Sequence, residues 1–206
     1  MLTIYGVYRS RASRNLWLAN ELGIPFKQVP IIQHYRLKEP IAADVVHTRS
    51  PEFLKVNPNG HIPSIDDDGV KLHESLAINL YLAKKHGGPL APANVAEDGA
   101  MAMWSLWAVT EVEPHALLLA TKGVTEPEVA TLSGPFAVLN EALARDGNLV
   151  GGRFTVADIN VAEIVRYAMG APQLFEAAPN VKKWLAVCQG RPAFKTMWAA
   201  RDKEPA

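Results

Sequence analysis

The sequence predicts two parts of different class, a small α/β domain followed by an all-α domain. The first part alternates short apolar runs with helical patterns, in the order strand, helix, strand, irregular segment, strand, strand, helix. After Val95 no run has strand character, and only helical stretches broken by Pro and Gly follow. We therefore place the first domain at residues 1–85, a linker at 86–94 and the helical domain at 95–206.

The amino-terminal part opens with a strand, a helix and a second strand. Residues 2–8 are predicted to form a buried strand, residues 10–22 a helix that Gly23 and Pro25 end, and residues 26–32 a strand. Such a unit is expected to pair its strands in parallel through a right-handed crossover.

An irregular segment, a hairpin and a helix complete this domain. Residues 33–55 are polar and poorly patterned, which predicts a loop with one or two short helices. Residues 61–65 and 70–73 are predicted to form a hairpin around the acidic turn 66–69. A helix is predicted over 76–85.

The second part contains five predicted helices, the first of which we expect Pro114 to kink. They cover residues 96–121, 126–144, 155–170, 179–189 and 192–199.

Composition excludes several classes of function. Lys+Arg and Asp+Glu both number 21, and this zero net charge argues against nucleic acid or an anionic membrane as the main partner. No run approaches the ~18 apolar residues that span a bilayer, and the first residues lack a signal-peptide core. A single cysteine, Cys188, excludes internal disulfides and suggests a reducing compartment, so we expect the cytoplasm.

Most standard catalytic constellations are missing from the sequence. No pair of the six histidines has the i, i+4 spacing of a helical zinc site, so no metal is predicted. There is no P-loop, no G-x-G-x-x-G run and no G-x-S-x-G elbow. The remaining candidates are hydroxyl and amide groups near the starts of helices.

Two helix starts carry such groups. Ser10 or Ser13 is either an N-cap of the first helix or a hydroxyl that donates to an anion beside the positive end of that helix. The pair Glu74-Ser75 has the same two interpretations at the later helix. Between them, Pro63 begins a strand, and the rarity of cis X-Pro bonds favours trans on the residues alone.

The order of these features resembles a known family. The N-P-x-G-x-I-P run at 57–63, the acidic turn and the Glu-Ser pair resemble the thioredoxin-like domain of cytosolic glutathione S-transferases, and we identify a serine-type, bacterial-like member. Residues 151–159 resemble the helical-domain signature of that family, with a T-x-x-D capping box and Phe154 as hydrophobic staple. The resemblance implies an α/β thioredoxin-like amino-terminal domain plus an all-α carboxyl-terminal domain.

The resemblance also implies a binding site for glutathione. Ile62 would precede a cis Pro63 and present its backbone to the cysteinyl part. Glu74 would hold the γ-glutamyl ammonium, and Ser75 with the helix N-terminus its carboxylate. His61 either contacts the ligand or is a solvated residue at the strand edge.

The glycyl carboxylate of glutathione would meet a basic side chain of the irregular segment. Arg49 is the first candidate, with His47 behind it. Arg36 and Lys38 are also available, and each of these side chains is alternatively an exposed surface charge.

The catalytic hydroxyl is assigned by the S-x-x-x-R register of serine-type members, which Ser10 and Arg14 satisfy. Ser13 and Tyr5 are the alternatives. Cys188 lies in a late helix, where a core position is expected, so cysteine-type disulfide chemistry is disfavoured.

A hydrophobic substrate pocket is expected on the long helix 96–121. Trp104, Trp107, Ala108 and Glu111 have the spacing of one helix face, although core or subunit packing explains the tryptophans equally well.

The resemblance thus implies a homodimeric glutathione transferase that uses glutathione as co-substrate against a small hydrophobic electrophile, and the single cysteine places it in the cytoplasm. One alternative is a glutathione-dependent isomerase or dehalogenase, which would share the binding residues. The other is a non-catalytic interaction module with the same fold.

Overall fold

The computed structural model describes residues 1–204 and divides into two compact units. The first unit contains Met1–Leu82 together with the described residues from Pro192 onward, and the second is Ala83–Arg191. The predicted domain ranges stay a prediction, whereas the structure separates the chain after Leu82 and again after Arg191. No helix within residues 1–204 is long and apolar enough to cross a membrane.

A four-stranded sheet forms the centre of the first unit. Its strands are β1 (Leu2–Tyr5), β2 (Phe26–Val29), β3 (Ser64–Asp67) and β4 (Val70–His73). The order across the sheet is β2-β1-β3-β4, with β1 parallel to β2 and antiparallel to β3, and β3 antiparallel to β4. The predicted parallel first pair and the later hairpin are both confirmed.

Helices accompany this sheet in the first unit. They are α1 (Ser13–Leu22), α2 (Pro51–Leu54), the beginning of α3 (Ser75–His86) and α10 (Pro192–Lys203), with a 3₁₀ turn at His34–Arg36. Ile4 and Ile65 pair across β1 and β3 and are fully buried, as is Trp17 of α1. Phe194 of α10 packs edge-on against Trp17 with ring centroids 5.0 Å apart, so α10 is part of this core.

The first helix begins later than the sequence predicts, at Ser13 rather than at residue 10. The amides of Ser13, Arg14 and Asn15 each bond the carbonyl three residues earlier. These i→i+3 bonds form a tighter turn than an α-helix does. Residues 8–12 are therefore a connecting turn in which Ser10 lies.

The third strand is also displaced, from the predicted residues 61–65 to Ser64–Asp67. Pro63 cannot donate to a ladder, and two acidic residues of the predicted turn instead pair with β1. The reversal is made by Asp68 and Gly69, which have φ values of 52° and 94°. Positive φ at both positions is what a two-residue hairpin loop needs.

The second unit contains only helices among its described elements. They are the end of α3, α4 (Val95–Trp107), α5 (Glu113–Lys122), α6 (Glu126–Asp146), α7 (Val156–Val165), α8 (Pro172–Ala177) and α9 (Pro179–Gly190). The predicted helix 96–121 is interrupted by a π-helical segment, Ala108–Val112, directly before the turn that contains Pro114. Proline has no amide hydrogen for the helical ladder, which explains the break.

Helix α7 is the centre of the second unit, and all ten of its residues are buried. Its predicted capping box is confirmed, since Thr155 and Asp158 exchange side-chain and backbone hydrogen bonds. The sequence analysis did not predict α8, whose six residues are too few to show a helical period.

Candidate active site

Ser10 lies in the turn between β1 and α1 and is half-buried. Its hydroxyl donates to the carbonyl of Val7 at 2.6 Å and accepts a hydrogen bond from the amide of Ala12 at 3.1 Å. Ser10 is thus not the N-cap of α1, which is Ala12, but its side chain caps the turn before that helix. Its use as a donor to an anion stays a prediction. To donate to another acceptor, this hydroxyl must rotate away from Val7.

The two alternatives to Ser10 have different surroundings. Ser13 is fully buried at the start of α1. Tyr5 is in β1, where its ring packs at 6.2 Å from that of Phe53. Burial, and then the negative charge of Asp66, raise the pKa of Tyr5 above its ordinary value.

Glu74 and Ser75 form the entrance to α3. Glu74 is exposed and has a φ of 69°, a left-handed conformation that costs a non-glycine residue about 1–3 kcal/mol. Its carbonyl accepts the amide of Ile78, so the backbone of Glu74 begins the helix. The residue is held in an unfavourable conformation directly where the first amides of α3 have no partner within the helix.

Ser75 is buried and connected to α1. Arg14 Nη1 donates to Ser75 Oγ at 3.0 Å, and Asn15 Nδ2 donates to the Ser75 carbonyl at 2.8 Å. Arg14 itself is 1% exposed. Among the described residues Ser75 Oγ has no acceptor for its own proton, so it can donate to an anion. Hydroxyl, helix end and buried arginine together form a positive site.

The arginine of the S-x-x-x-R register thus lies on Ser75, and its hydrogen bond joins elements 61 residues apart. Asn15 and Asn79 add to this connection through a 2.7 Å side-chain hydrogen bond. The sequence analysis missed both asparagines, and their one signal was that buried polar residues interrupt otherwise apolar helix faces.

The Ile62–Pro63 peptide bond is cis, as the resemblance implied and the residues alone did not. Asn57 braces this turn by donating to the His61 carbonyl at 2.9 Å and to Ser64 Oγ at 3.1 Å. The carbonyl of His61 therefore accepts a hydrogen bond that stabilises the turn, while the residue itself is exposed. Asn57 is the first residue of the N-P-x-G-x-I-P run, and the sequence did not predict this role for it.

Gly6 brings the end of β1 against this turn. A Cβ atom on Gly6 would lie 2.8 Å from Ala12 Cβ and 3.5 Å from Ile62 Cβ, and its φ is 145°. Both the close approach and the backbone angle require glycine. Ile62 and the turn that contains Ser10 are thus adjacent in the first unit.

The basic candidates lie in the irregular segment. Arg49 is exposed, and its amide donates to His47 Nδ1 at 3.2 Å. The ring of His47 packs edge-on against His34 at 5.0 Å. Arg36 instead donates to the carbonyl of Arg9 at 3.2 Å. Arg49 and Lys38 are both exposed, so the structure leaves both as candidates for the glycyl carboxylate.

The four residues predicted for the hydrophobic pocket belong to the second unit. Trp104 and Trp107 are half-buried and pack edge to face, with ring centroids 5.1 Å apart. Ala108 is fully buried in the π-helical segment, and Glu111 is exposed. The role of this group stays a prediction.

Comparison with known proteins assigns both parts of the chain to one family. Residues 4–90 match the family model described as glutathione S-transferase, N-terminal domain, and residues 123–186 match glutathione S-transferase, C-terminal domain. Glutathione S-transferase 3 of Zea mays is 30% identical over 224 residues, which cover 99% of this chain and 96% of that protein. This plant relative does not support the expected bacterial-like subtype.

Two further similarities are informative. The solved structure of a glutathione S-transferase III in its apo form is 30% identical, with a TM-score of 0.79 over 100% of this chain and 99% of that one. Elongation factor 1-gamma of Danio rerio is 33% identical over 165 residues, which cover 72% of this chain and 36% of that protein.

Proposed function

Since this chain belongs to the glutathione S-transferase family, we propose that Ser10 activates the thiol of glutathione for attack on a small hydrophobic electrophile. The family supplies the reaction class and the co-substrate: the protein is a transferase enzyme that uses glutathione. The serine-type mechanism, the individual site residues and the electrophile are the proposal.

The observation that carries the proposal is the positive site at the start of α3. A buried Arg14 bonded to Ser75, beside the first amides of a twelve-residue helix, suits the γ-glutamyl carboxylate of glutathione. Glu74 stands next to it with an exposed carboxylate for the γ-glutamyl ammonium. A ligand that carries both charges on one carbon matches this pair.

The remaining parts of glutathione are assigned to neighbouring backbone and basic groups. We assign the cysteinyl amide and carbonyl to the backbone of Ile62, because β3 begins at Ser64 and the Ile62 backbone lies outside its ladder. We assign the glycyl carboxylate to Arg49, with His47 and His61 beside it.

The mechanism requires only that the bound thiol ionise. A thiol with a pKa near ~8.5 is a few per cent thiolate at pH 7, and lowering its pKa by two units needs about 2.7 kcal/mol. A hydrogen bond from Ser10 to the thiolate supplies ~1.5–3 kcal/mol and the end of α1 ~0.3–1 kcal/mol. Giving up the bond to Val7 costs ~0.5–1.5 kcal/mol. The expected lowering is therefore about one to two units.

The ionised sulfur then forms the new carbon–sulfur bond. In a substitution, the leaving group departs with its bonding electron pair, and no general base is needed once the thiol proton has left. We propose that Trp104 and Trp107 contact the apolar electrophile, with Ala108 and Glu111 beside them. Bringing the two reactants together lowers the entropic part of the barrier.

The experiment that tests this function is calorimetric titration of glutathione into the protein at pH 7, in two buffers of different ionisation enthalpy. If the thiol ionises in the site, the measured binding enthalpy should differ between the two buffers. The size of that difference should correspond to the release of up to one proton per glutathione bound. Titration with S-methylglutathione, which has no thiol proton, is the control and should show no such difference. Binding without proton release would contradict thiolate formation.

A role as an interaction module in addition to catalysis is the second candidate, and the similarity of 72% of this chain to 36% of elongation factor 1-gamma is the observation that favours it. In the calorimetric experiment, no heat of glutathione binding in either buffer would contradict the proposed site residues. We also propose a homodimer, supported by exposed apolar residues on α4 such as Met103 and Leu106, and a cytoplasmic location, supported by the single cysteine of the sequence. Sedimentation analysis of the mass in solution tests the dimer.

A further inference from the structure

The carboxyl-terminal helix holds the backbone of the turn that precedes Ser10. The carboxylate of Glu204 accepts hydrogen bonds from the amides of Tyr8 at 2.8 Å and Arg9 at 2.9 Å. Arg201 Nη1 donates to the carbonyl of Tyr8 at 2.8 Å. Arg9 Nε donates in return to the carbonyl of Glu204 at 3.0 Å. Four hydrogen bonds thus join two adjacent residues to the end of α10.

Aromatic packing joins Arg201 and its helix α10 to the core of the first unit. The guanidinium of Arg201 lies 5.0 Å from the centre of the Trp198 ring. Trp198 stacks on Phe194 at 5.4 Å, and Phe194 packs edge-on against the fully buried Trp17 of α1. Arg201 therefore belongs to a helix that packs against α1, and Glu204 directly follows that helix.

Tyr8 and Arg9 lie in the chain between Val7 and Ala12, whose carbonyl and amide orient the hydroxyl of Ser10. Val7, whose carbonyl accepts the hydroxyl proton, precedes Tyr8, and Ser10 follows Arg9. A shift of the Tyr8–Arg9 backbone therefore moves Ser10 relative to Val7. The sequence gives no hint of this connection, because its partners are 193 to 196 residues apart.

We propose that Glu204 and Arg201 are positioning residues for Ser10, which hold the backbone at Tyr8 and Arg9 so that Ser10 Oγ lies within reach of the glutathione sulfur once its hydroxyl rotates away from Val7. This inference rests on the proposed role of Ser10. It makes the carboxyl-terminal helix a part of the thiol-activating machinery.

At Glu204, loss of the backbone hydrogen bonds and loss of the negative charge are expected to shift the thiol pKa in opposite directions. The inference can therefore be tested by substitution. Replacing Glu204 by glutamine removes a negative charge near the site, and this change alone would favour the thiolate and lower the thiol pKa. Loss of the hold on Tyr8 and Arg9 would weaken the hydrogen bond from Ser10 and raise the thiol pKa. The sign of the measured shift separates the two.

The experiment measures the ultraviolet absorbance of bound thiolate against pH, together with kcat/KM for 1-chloro-2,4-dinitrobenzene. We expect Glu204→Gln and Arg201→Gln each to raise the thiol pKa by about 0.5 to 1 unit, and to lower kcat/KM below that pKa about three- to tenfold. The Kd for glutathione should stay within about twofold of the wild-type value. Asp202→Asn, an exposed acid on the same helix, is the matched control.

A double variant then tests whether the effect passes through Ser10. In a Ser10→Ala background, Glu204→Gln should cause no further rise of the thiol pKa. An additive rise would overturn the inference. So would an unchanged or lowered thiol pKa in both Glu204→Gln and Arg201→Gln, while the role of Ser10 would stand. An unchanged thiol pKa in Ser10→Ala would overturn the role of Ser10 as well as the inference. If Glu204→Gln fails to fold, Arg201→Gln is measured in both backgrounds. Loss of its positive charge also raises the thiol pKa, so only a rise that disappears in Ser10→Ala supports the inference.

Discussion

The hydroxyl of Ser10 has a structural use as well as the proposed catalytic one, and the two can be separated by substitution. Ser10→Ala removes both backbone hydrogen bonds of the side chain and the proposed donor to the thiolate. Because the contribution of the end of α1 remains, we expect the apparent pKa of the pH–rate profile to rise by about one unit, so that kcat/KM at pH 6.5–7 falls about tenfold. The affinity for glutathione should be nearly unchanged, since the charged ends of the ligand bind elsewhere.

Tyr5→Phe is the matched control for that prediction. Burial and the charge of Asp66 raise the pKa of Tyr5, so its phenol does not itself titrate in the profile. If Ser10 is the donor to the thiolate, Tyr5→Phe should leave the profile in place. A profile that moves in Tyr5→Phe but not in Ser10→Ala would transfer thiol activation to Tyr5. If neither variant changes it, Ser13→Ala becomes the next measurement.

For individual residues, the sequence predicted which side chains belong to the candidate site better than it predicted which residues they contact. Ser10, Glu74 and Ser75 were predicted because hydroxyl and acidic residues at helix starts have a recognisable chemistry. The contact of Arg14 with Ser75 was not predicted, because it joins elements 61 residues apart. The support that Gly6 gives to Ile62 depends in the same way on a fold that residue spacing alone does not reveal.

The capping box of α7 shows how one side chain stabilises an element. Asp158 accepts hydrogen bonds from the amide and hydroxyl of Thr155, from Trp184 Nε1 at 2.9 Å and from the amide of Leu149 at 3.2 Å. Asp158→Asn is isosteric but turns an NH₂ group towards some of these donors. We expect the free energy of unfolding to fall by about 2–4 kcal/mol, measured by urea denaturation. Asp44→Asn, on an exposed loop, is the control, and equal stability of the two variants would contradict the prediction.

Within the second unit, Arg153 ties the segment before α4 to the turn before α7. It donates to the carbonyls of Pro89 and Ala91 and to both carboxylate oxygens of Glu97, at 2.6 and 3.0 Å. The hydrogen bond from Arg153, followed by that from the amide of Ala93, lowers the pKa of Glu97 from 4.5 to about 2.

This depressed pKa predicts a specific acid sensitivity. The carboxylate of Glu97 stabilises the folded state fully above about pH 4.5, and this stabilisation is lost as the pH falls through about 2. Glu97→Gln should therefore lower Tm at pH 7, and the difference from wild type should shrink between about pH 4.5 and pH 2. Glu141→Gln, exposed on α6, is the control for changes in net charge. A difference that is constant with pH would contradict the ion-pair explanation.

The sequence predicted whether a segment is a helix or a strand where an apolar period or a capping motif marks it. It did not predict the residues at which these elements begin and end. The strands and most helices follow from apolar periodicity, and the cap of α7 from its T-x-x-D spacing. The late start of α1 and the π-helical segment before Pro114 depend on which local hydrogen bonds form. Those choices are decided by the packing of the finished unit.

At the scale of the whole molecule, the chain builds most of the first unit, then all of the second, and returns to the first with α10. Phe194 is 6% exposed and packs between Trp17 and Trp198. Phe194→Ala leaves a cavity in the first unit, and such truncations cost about 3–5 kcal/mol. Hydrogen exchange should therefore accelerate in β1, β3 and α1, while the fully buried α7 keeps its protection.

A matched substitution in the other unit should give the opposite pattern. Phe175 is 7% exposed and packs edge-on against Phe136 at 5.2 Å in the second unit. Phe175→Ala removes the same side chain at nearly the same burial, so we expect a similar loss of unfolding free energy, with faster exchange in α6 and α8 instead of in the sheet. If Phe194→Ala accelerates exchange in α7 as strongly as in β1, α10 is not a local part of the first unit. The expected pattern would show that the last residues of the chain stabilise the unit formed by its first.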